Sequence, residues 1–509
     1  MNIDRLILWG VGLLTLCRYA LAMSLELTEE EALMWMESKH LTTFFFDNGP
    51  LAPLLIRLGT LSFGETLLGI RCWNPLLMLL ASWLVYLLAR SVYRKEIARW
   101  CVVVFQIVPL ANIAAIHMLD VGLALCLALT GYWCLWRALH RVHRWHGAWW
   151  GGGIAFGSAI TISLPLVSLL LGIALALSLT RRWRDPWSRP GVWVLLGMAM
   201  IVPVVLCLAS GHGGLALRQT MLGVGFHPGQ MMEGVWRGFL WTGPMLLLGM
   251  GWMCNRWRRV APAQGPWFLG ILGFVPLIVV FIWSGTFESW SYVWWVGMVP
   301  CLIVLVGHWV KADIDLEWKS GWQRLALIFT GGLTAIGVNT PNLQMLGIPW
   351  PDFAATPRLS QGWEETAEAV EAVLRSGSSE APEGLFVIAE TPEMAALLDF
   401  YLAENALVYR PEGEWYPRIH VVESAGWDSS YDLWPNYSHE APNKAQRGSP
   451  YLRRTALYLT GREEDYMPAN LSNAFKSTVI AAVLDIKRRH LFLHHWRLYH
   501  AYQYGGLPL

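Results

Sequence analysis

Charge is what this chain has least of. Only 15% of its 509 residues are Asp, Glu, Lys or Arg, where a soluble domain carries roughly a quarter. That shortage excludes a wholly soluble protein. With 55% hydrophobic residues and a mean hydropathy of +0.38, most of the chain must sit in lipid. Net charge is slight too, at +1, which excludes the basic footprint of a nucleic-acid binder. Cysteine is missing beyond Cys301. The eight present (Cys17, Cys72, Cys101, Cys126, Cys134, Cys207, Cys254 and Cys301) all fall in apolar stretches. Their spacing offers neither a disulfide framework nor a metal-ligand pattern, so they read as small buried hydrophobes. No internal repeat is visible, unlike the inverted halves of many transporters.

What the chain has instead is long apolar runs. A bilayer core of about 30 Å needs about 20 apolar residues of helix. Runs of that kind lie near 6–25, 67–89, 100–116, 119–138, 191–210, 235–254, 267–284, 290–310 and 323–340. The stretch 147–180 predicts two short helices meeting near Ile162–Pro165. The total expected is about eleven spans. The run 6–25 is long enough to cross, and Leu21-Ala22-Met23-Ser24 is a poor cleavage site, so it reads as a membrane helix rather than a signal peptide. Trp is abundant, at 31 residues; many, such as Trp133, Trp136, Trp149, Trp150 and Trp187, flank apolar runs, where an amphipathic ring suits the headgroup level. Trp294-Trp295 reads the same way.

Lys and Arg set the orientation. Clusters follow every even-numbered span: Arg90, Arg94, Lys95, Arg99; Arg137, Arg141, Arg144; Arg181, Arg182, Arg184, Arg189; Arg256, Arg258, Arg259; and Lys311, Lys319, Arg324. Basic loops stay in the cytoplasm. An odd number of spans then places residues 341–509 outside it. The expected architecture is a polytopic α-helical membrane domain over 1–340 and a soluble α/β domain over 341–509. In the latter, helical periodicity at 361–375 and 393–403 alternates with strand-like runs at Leu385–Ala389, Ile419–Val422 and Thr455–Leu459. Residues 425–450 read as loop.

The first external loop, 26–66, carries the candidate chemistry. A helix capped by Thr28 should run to about Leu41, with Glu29, Glu30 and Glu31 in its first turn. A turn around Asp47-Asn48-Gly49-Pro50 follows, then an amphipathic stretch over 51–63. Glu30-Glu31, Asp47 and Asp120 all lie on the external side near apolar helices. Carboxylates at such depth point to function, and one could act as general base toward a hydroxyl or amine acceptor. Each also has a structural reading: the glutamates complement a helix dipole, and Asp120 caps the fourth span. Arg57, Arg71, Arg218, His227 and Arg237 lie on the same side. An Arg fork matches phosphate; the structural reading is snorkelling to headgroups. His212 and His227 read as ordinary loop histidines. A divalent cation bridging Glu30, Glu31 and Asp47 is open, since hard cations take oxygen ligands.

Several motifs recur in order. They are Glu30-Glu31-Ala32-Leu33-Met34-Trp35, Phe45-Phe46-Asp47-Asn48-Gly49-Pro50-Leu51, Leu55-Ile56-Arg57-Leu58-Gly59-Thr60, Phe63-Gly64-Glu65, Gly69-Ile70-Arg71 and Met118-Leu119-Asp120. Near the C-terminus come Leu398-Asp399-Phe400-Tyr401-Leu402 and Tyr431-Asp432-Leu433-Trp434. Together they resemble the bacterial branch of the dolichyl-phosphate-mannose–protein mannosyltransferase superfamily, which includes the aminoarabinose transferase acting on lipid A. The resemblance is sharpest over 28–125. It implies a GT-C membrane fold in the inner membrane and an inverting transfer of a sugar from a polyprenyl-phosphate donor to an extracytoplasmic acceptor. By the same resemblance Glu30 and Asp120 are catalytic; Glu31, Asp47, Asn48, Arg57, Arg71, Arg218 and Arg237 are the candidate substrate-binding residues. The sequence departs from the family at three places. Glu30 stands for Asp, Asn48 stands for a basic residue, and no Lys follows Ile160-Thr161-Ile162-Ser163. The Trp-Trp-Asp of the oligosaccharyltransferase branch is absent. A flippase for a lipid-linked molecule and a catalytically inactive scaffold remain the alternatives.

Overall fold

The computed structural model describes residues 3–42, 49–140, 147–179, 186–209, 228–255, 264–283, 294–311, 317–338, 361–377, 385–411, 415–422, 429–438, 449–462, 467–488 and 491–506. The chain forms two compact units. The first is Met1–Leu25, Leu41–Thr340 and Phe353–Ala355; the second is Glu26–His40, Pro341–Asp352 and Thr356–Leu509. The division differs from the single cut expected near residue 340. Residues 26–40 group with the C-terminal part of the chain.

The first unit is helical. Its first members are α1 (Ile3–Ser24), α3 (Leu51–Phe63), α4 (Leu67–Arg71), α5 (Asn74–Val92), α6 (Lys95–Gln106), α7 (Pro109–Ile116) and α8 (Asp120–His140). Then follow α9 (Gly147–Ile162), α10 (Ser168–Leu179), α11 (Pro190–Ala209), α12 (Pro228–Thr242), α13 (Pro244–Asn255), α14 (Gln264–Trp283), α15 (Trp294–Lys311) and α16 (Glu317–Val338). Each apolar run coincides with one of these or with a consecutive pair. Among the described residues, length and apolarity alone single out four spans, Asp4–Ser24, Leu67–Val92, Asp120–His140 and Pro190–Ala209, plus the bent pair α6–α7 as a fifth. Two of the other runs are broken by the chain. Pro165 follows α9, and Gly243 at φ 94° separates α12 from α13.

Apolar side chains lie on both faces of this unit, as lipid requires. Met78, Phe105, Leu125, Tyr132 and Phe156 are buried, while Leu8, Trp9, Leu208 and Ile328 are each more than 70% exposed. Cys17 also faces outward. Three tryptophans expected at the headgroup level are covered by protein side chains. Trp136, Trp149 and Trp295 are buried, and Trp295 stacks on Phe105 with ring centroids 6.2 Å apart.

The family-like glycines have a packing cause. Gly64 ends α3 at φ 75°, where a side chain is disfavoured. A Cβ on Gly59 would run into the backbone carbonyl of Gly69, so α3 and α4 meet only because both residues are bare.

The helix pair α6–α7 bends by 65° at residues 107–108, leaving carbonyls that a membrane interior must satisfy. Asn112 donates to Gln106 O (2.8 Å) and Val108 O (2.9 Å), and Thr334 Oγ1 donates to Ile107 O (2.6 Å). The Asn112 carbonyl oxygen accepts from Arg18 Nη2 at 2.8 Å and Nε at 3.2 Å. One buried amide thus ties α1 to the break.

The second unit carries α2 (Glu29–Lys39), α17 (Trp363–Gly377), β1 (Phe386–Ala389), α18 (Pro392–Tyr401), β2 (Ile419–Val421), β3 (Ala456–Thr460), α19 (Ala469–Ala474), β4 (Phe475–Arg488) and β5 (Leu491–Tyr504). Its sheet runs β2-β1-β3-β5-β4. The first three strands are parallel, with Val387 opposite Ile419 and Leu457; β5 and β4 add antiparallel. The core is aromatic: Phe386, Tyr416, Tyr437, Tyr451, Tyr458 and Tyr504. His420 lies within it, bonded to Asn436 and to the Tyr451 hydroxyl, each at 3.0 Å. Burial drives its pKa down to about 3, so it is neutral at any working pH.

Candidate active site

The first-loop helix α2 starts where the sequence put it. Thr28 caps it: the Thr28 hydroxyl accepts from Glu31 N at 3.3 Å, and Glu31 Oε2 accepts from Thr28 N at 2.9 Å. This reciprocal capping box satisfies two donors that a helix start would otherwise leave open. It engages Glu31, which is fully buried, in structure. Glu31 had been expected to bind substrate.

The two glutamates before it have different surroundings. Glu30 is exposed on the first turn. Glu29 is partly buried; burial first, then the nearby Glu393 charge, pushes its carboxyl up to about 7. A carboxyl titrating there is suited to moving protons at neutral pH. Sequence reasoning gave Glu29 only a dipole role, because nothing in the sequence brings Glu393 next to it.

The rest of α2 is buried, and the two C-terminal family-like segments are what it packs on. Within Leu398–Leu402, Asp399 pairs with Lys39 (3.6 Å) and Arg418 (3.5 Å). Phe400 meets the Trp35 ring edge-on at 5.1 Å, and the Tyr401 hydroxyl accepts from Leu27 N at 2.9 Å. Beside Tyr431–Trp434, Ser430 Oγ donates to Glu37 Oε1 at 2.6 Å, and the Trp434 ring lies 6.0 Å from that of His40. Lys39 Nζ also sits 3.7 Å above the Trp35 ring. Upstream, Glu26 accepts from Gly362 N at 2.8 Å and pairs with Arg488. The distant motifs are therefore a cradle for the helix that carries Glu30.

In the first unit, Asp120 is the first residue of α8, in its first turn rather than at its cap, and partly buried. A helix N-terminus favours a carboxylate there. Arg57 is half-buried on α3. Arg71, expected to grip phosphate, is buried and otherwise engaged. Its Nη1 donates to Ala22 O (2.7 Å) and Leu25 O (2.6 Å), and its Nη2 lies 3.3 Å from His117 Nδ1. His117 is a residue the sequence reading passed over. Asp47, Asn48, Arg218, His212 and His227 lie outside the described residues, as does the side chain of Arg237 on α12. Among the described residues no three His, Cys, Asp or Glu side chains gather as a metal-ligand set.

Against known proteins, residues 47–207 match the profile of the family described as dolichyl-phosphate-mannose-protein mannosyltransferase. Among curated proteins no sequence matches. The whole chain superposes on ArnT from Cupriavidus metallidurans in its apo state, with 98% of each chain covered, 14% identity and a TM-score of 0.59. The structure of that protein bound to undecaprenyl phosphate gives 0.57 at the same coverage and identity. At that identity the likeness is one of fold. Residues 47–207 thus resemble the dolichyl-phosphate-mannose-protein mannosyltransferase family, and the chain as a whole has a fold similar to that of ArnT.

Proposed function

We propose that the protein transfers a sugar from a polyprenyl-phosphate carrier to an acceptor on the extracytoplasmic side of the inner membrane. The observation that carries this reading is the whole-chain likeness to a fold whose solved example holds undecaprenyl phosphate, joined to the family match over 47–207. In the proposed reaction an acceptor hydroxyl or amine attacks the anomeric carbon opposite the phosphate. The new bond forms as the carbon–oxygen bond to phosphate breaks, polyprenyl phosphate leaves, and the configuration inverts. Glu30 takes the acceptor proton and Asp120 is a second candidate catalytic carboxylate; Arg57, Arg218 and Arg237 supply positive charge toward phosphate. Holding donor and acceptor in register supplies most of the rate, with the carboxylate taking the proton as the bond forms.

Two measurements test the reading. Lipid analysis of cells lacking the protein should show a polyprenyl-phosphate sugar accumulating; unchanged donor lipids would reject the transfer. A flippase would instead shift donor between leaflets with no sugar moved. Glu30→Gln and Asp120→Asn should each lower transfer by about 100-fold or more while leaving the thermal transition in place. Full activity in either variant removes that residue from the chemistry.

A further inference from the structure

Arg71 sits at the junction of three chain segments, and among the described residues its bonds run to segment ends. Ala22 and Leu25 are the last residues of the first membrane helix and its exit, and both offer their carbonyls to one guanidinium nitrogen. These are the carbonyls a helix C-terminus leaves open. The other nitrogen faces His117, the residue at which α7 ends and from which a three-residue step leads to Asp120. That step is itself folded, with Leu119 N bonded to His117 O at 2.9 Å. The junction is braced beside Arg71: Tyr19 Oη donates to Cys72 O at 2.7 Å, and Arg18 holds Asn112 on α7. Arg71 and His117 are both buried.

A guanidinium bound to backbone carbonyls is geometrically fixed, because its fork is planar and its charge permanent. We infer that Arg71 is a positioning residue. It fixes the stem from which the chain runs on to Glu30 and the stem that leads into Asp120, rather than holding the donor phosphate. The inference rests on the transferase reading only for its consequence on turnover; the clamp itself is a matter of bonds. Its logic is that a displacement of about 1 Å at a reacting group can cost on the order of 100-fold in rate.

The test uses the full chain in nanodiscs, with Arg71→Gln and the conservative Arg71→Lys. Hydrogen exchange reads the clamp without any ligand. Arg71→Gln should raise exchange over residues 22–28 and 117–122 together, with α9–α11 unchanged, and Arg71→Lys should restore part of the protection. Undecaprenyl phosphate is the binding probe; its affinity should stay within about twofold, while release of undecaprenyl phosphate from the sugar donor slows by about 100-fold. Unchanged exchange in the two segments overturns the clamp. So does a lost affinity for undecaprenyl phosphate with turnover preserved at saturation, which would make Arg71 a phosphate ligand. If the wild type releases no undecaprenyl phosphate but the exchange pattern appears, the clamp stands and the transferase reading falls.

Discussion

Glu29, Glu30 and Glu31 are chemically alike and consecutive, yet they do three different things. One is half-buried beside Glu393, one is exposed, and one closes a capping box. A helix turns about 100° per residue, so neighbours face different surroundings, and those surroundings come from residues beyond 390. The acidic character of the turn was therefore legible in the sequence and its division of labour was not. Thr28 was legible because a cap acts over three residues. The raised pKa of Glu29 has a signed consequence. Its carboxyl titrates near 7 folded against an ordinary 4.5, so its contribution is favourable below pH 4.5 and is lost as pH rises through 7. Glu29→Gln should then stabilise the second unit above pH 7 by about 1–3 kcal/mol and do little at pH 4. Thermal unfolding of the two proteins at pH 4, 6 and 8 reads the difference; parallel pH profiles would remove Glu29 from the account.

Among the elements, the break between α6 and α7 shows where sequence reading stops. The run 100–116 was recognisable as a span from its apolarity. The bend was not, because the residue that makes it tolerable, Asn112, works through Arg18, which is 94 positions away. Removing that amide strands the Gln106 carbonyl and takes an acceptor from a buried guanidinium, each costing about 1–3 kcal/mol when unsatisfied. Asn112→Ala should lower the unfolding temperature of the detergent-solubilised protein by several degrees, and Asn112→Asp, which keeps an acceptor for Arg18, should recover part of it. No loss in either variant would mean that the bend needs no patch. In the second unit the three short parallel strands were visible as apolar runs, since both of their faces are covered. The long hairpin β4–β5 was not, because Val479, Ile480 and Val483 are exposed and bulges at Ile480/Ala482 and Ile486/Lys487 break the alternation.

For the molecule as a whole, the basic clusters predict that the C-terminal unit lies across the membrane from them. A protease-cleavable tag after Leu509 should be cut in intact spheroplasts, and cleavage only after lysis would reverse the orientation. Composition revealed a soluble part and a membrane part, but not that residues 26–40 group with the C-terminal stretches of chain. That fact lives in contacts such as Trp35 with Phe400 and Lys39 with Asp399, which no local pattern carries.

The same discontinuity governs how the polypeptide is made. The Glu30 helix leaves the ribosome long before the segments that cover it, with Leu33, Met34, Trp35 and Met36 destined for burial. The cradle that covers them, from Pro392–Tyr401 onward, is synthesised only after the last membrane helix. Until then the nascent chain holds an apolar helix without its cover, a debt of non-local contact that slows folding. A premature stop anywhere before residue 392 should leave a protein that inserts but exposes this helix to quality-control proteases.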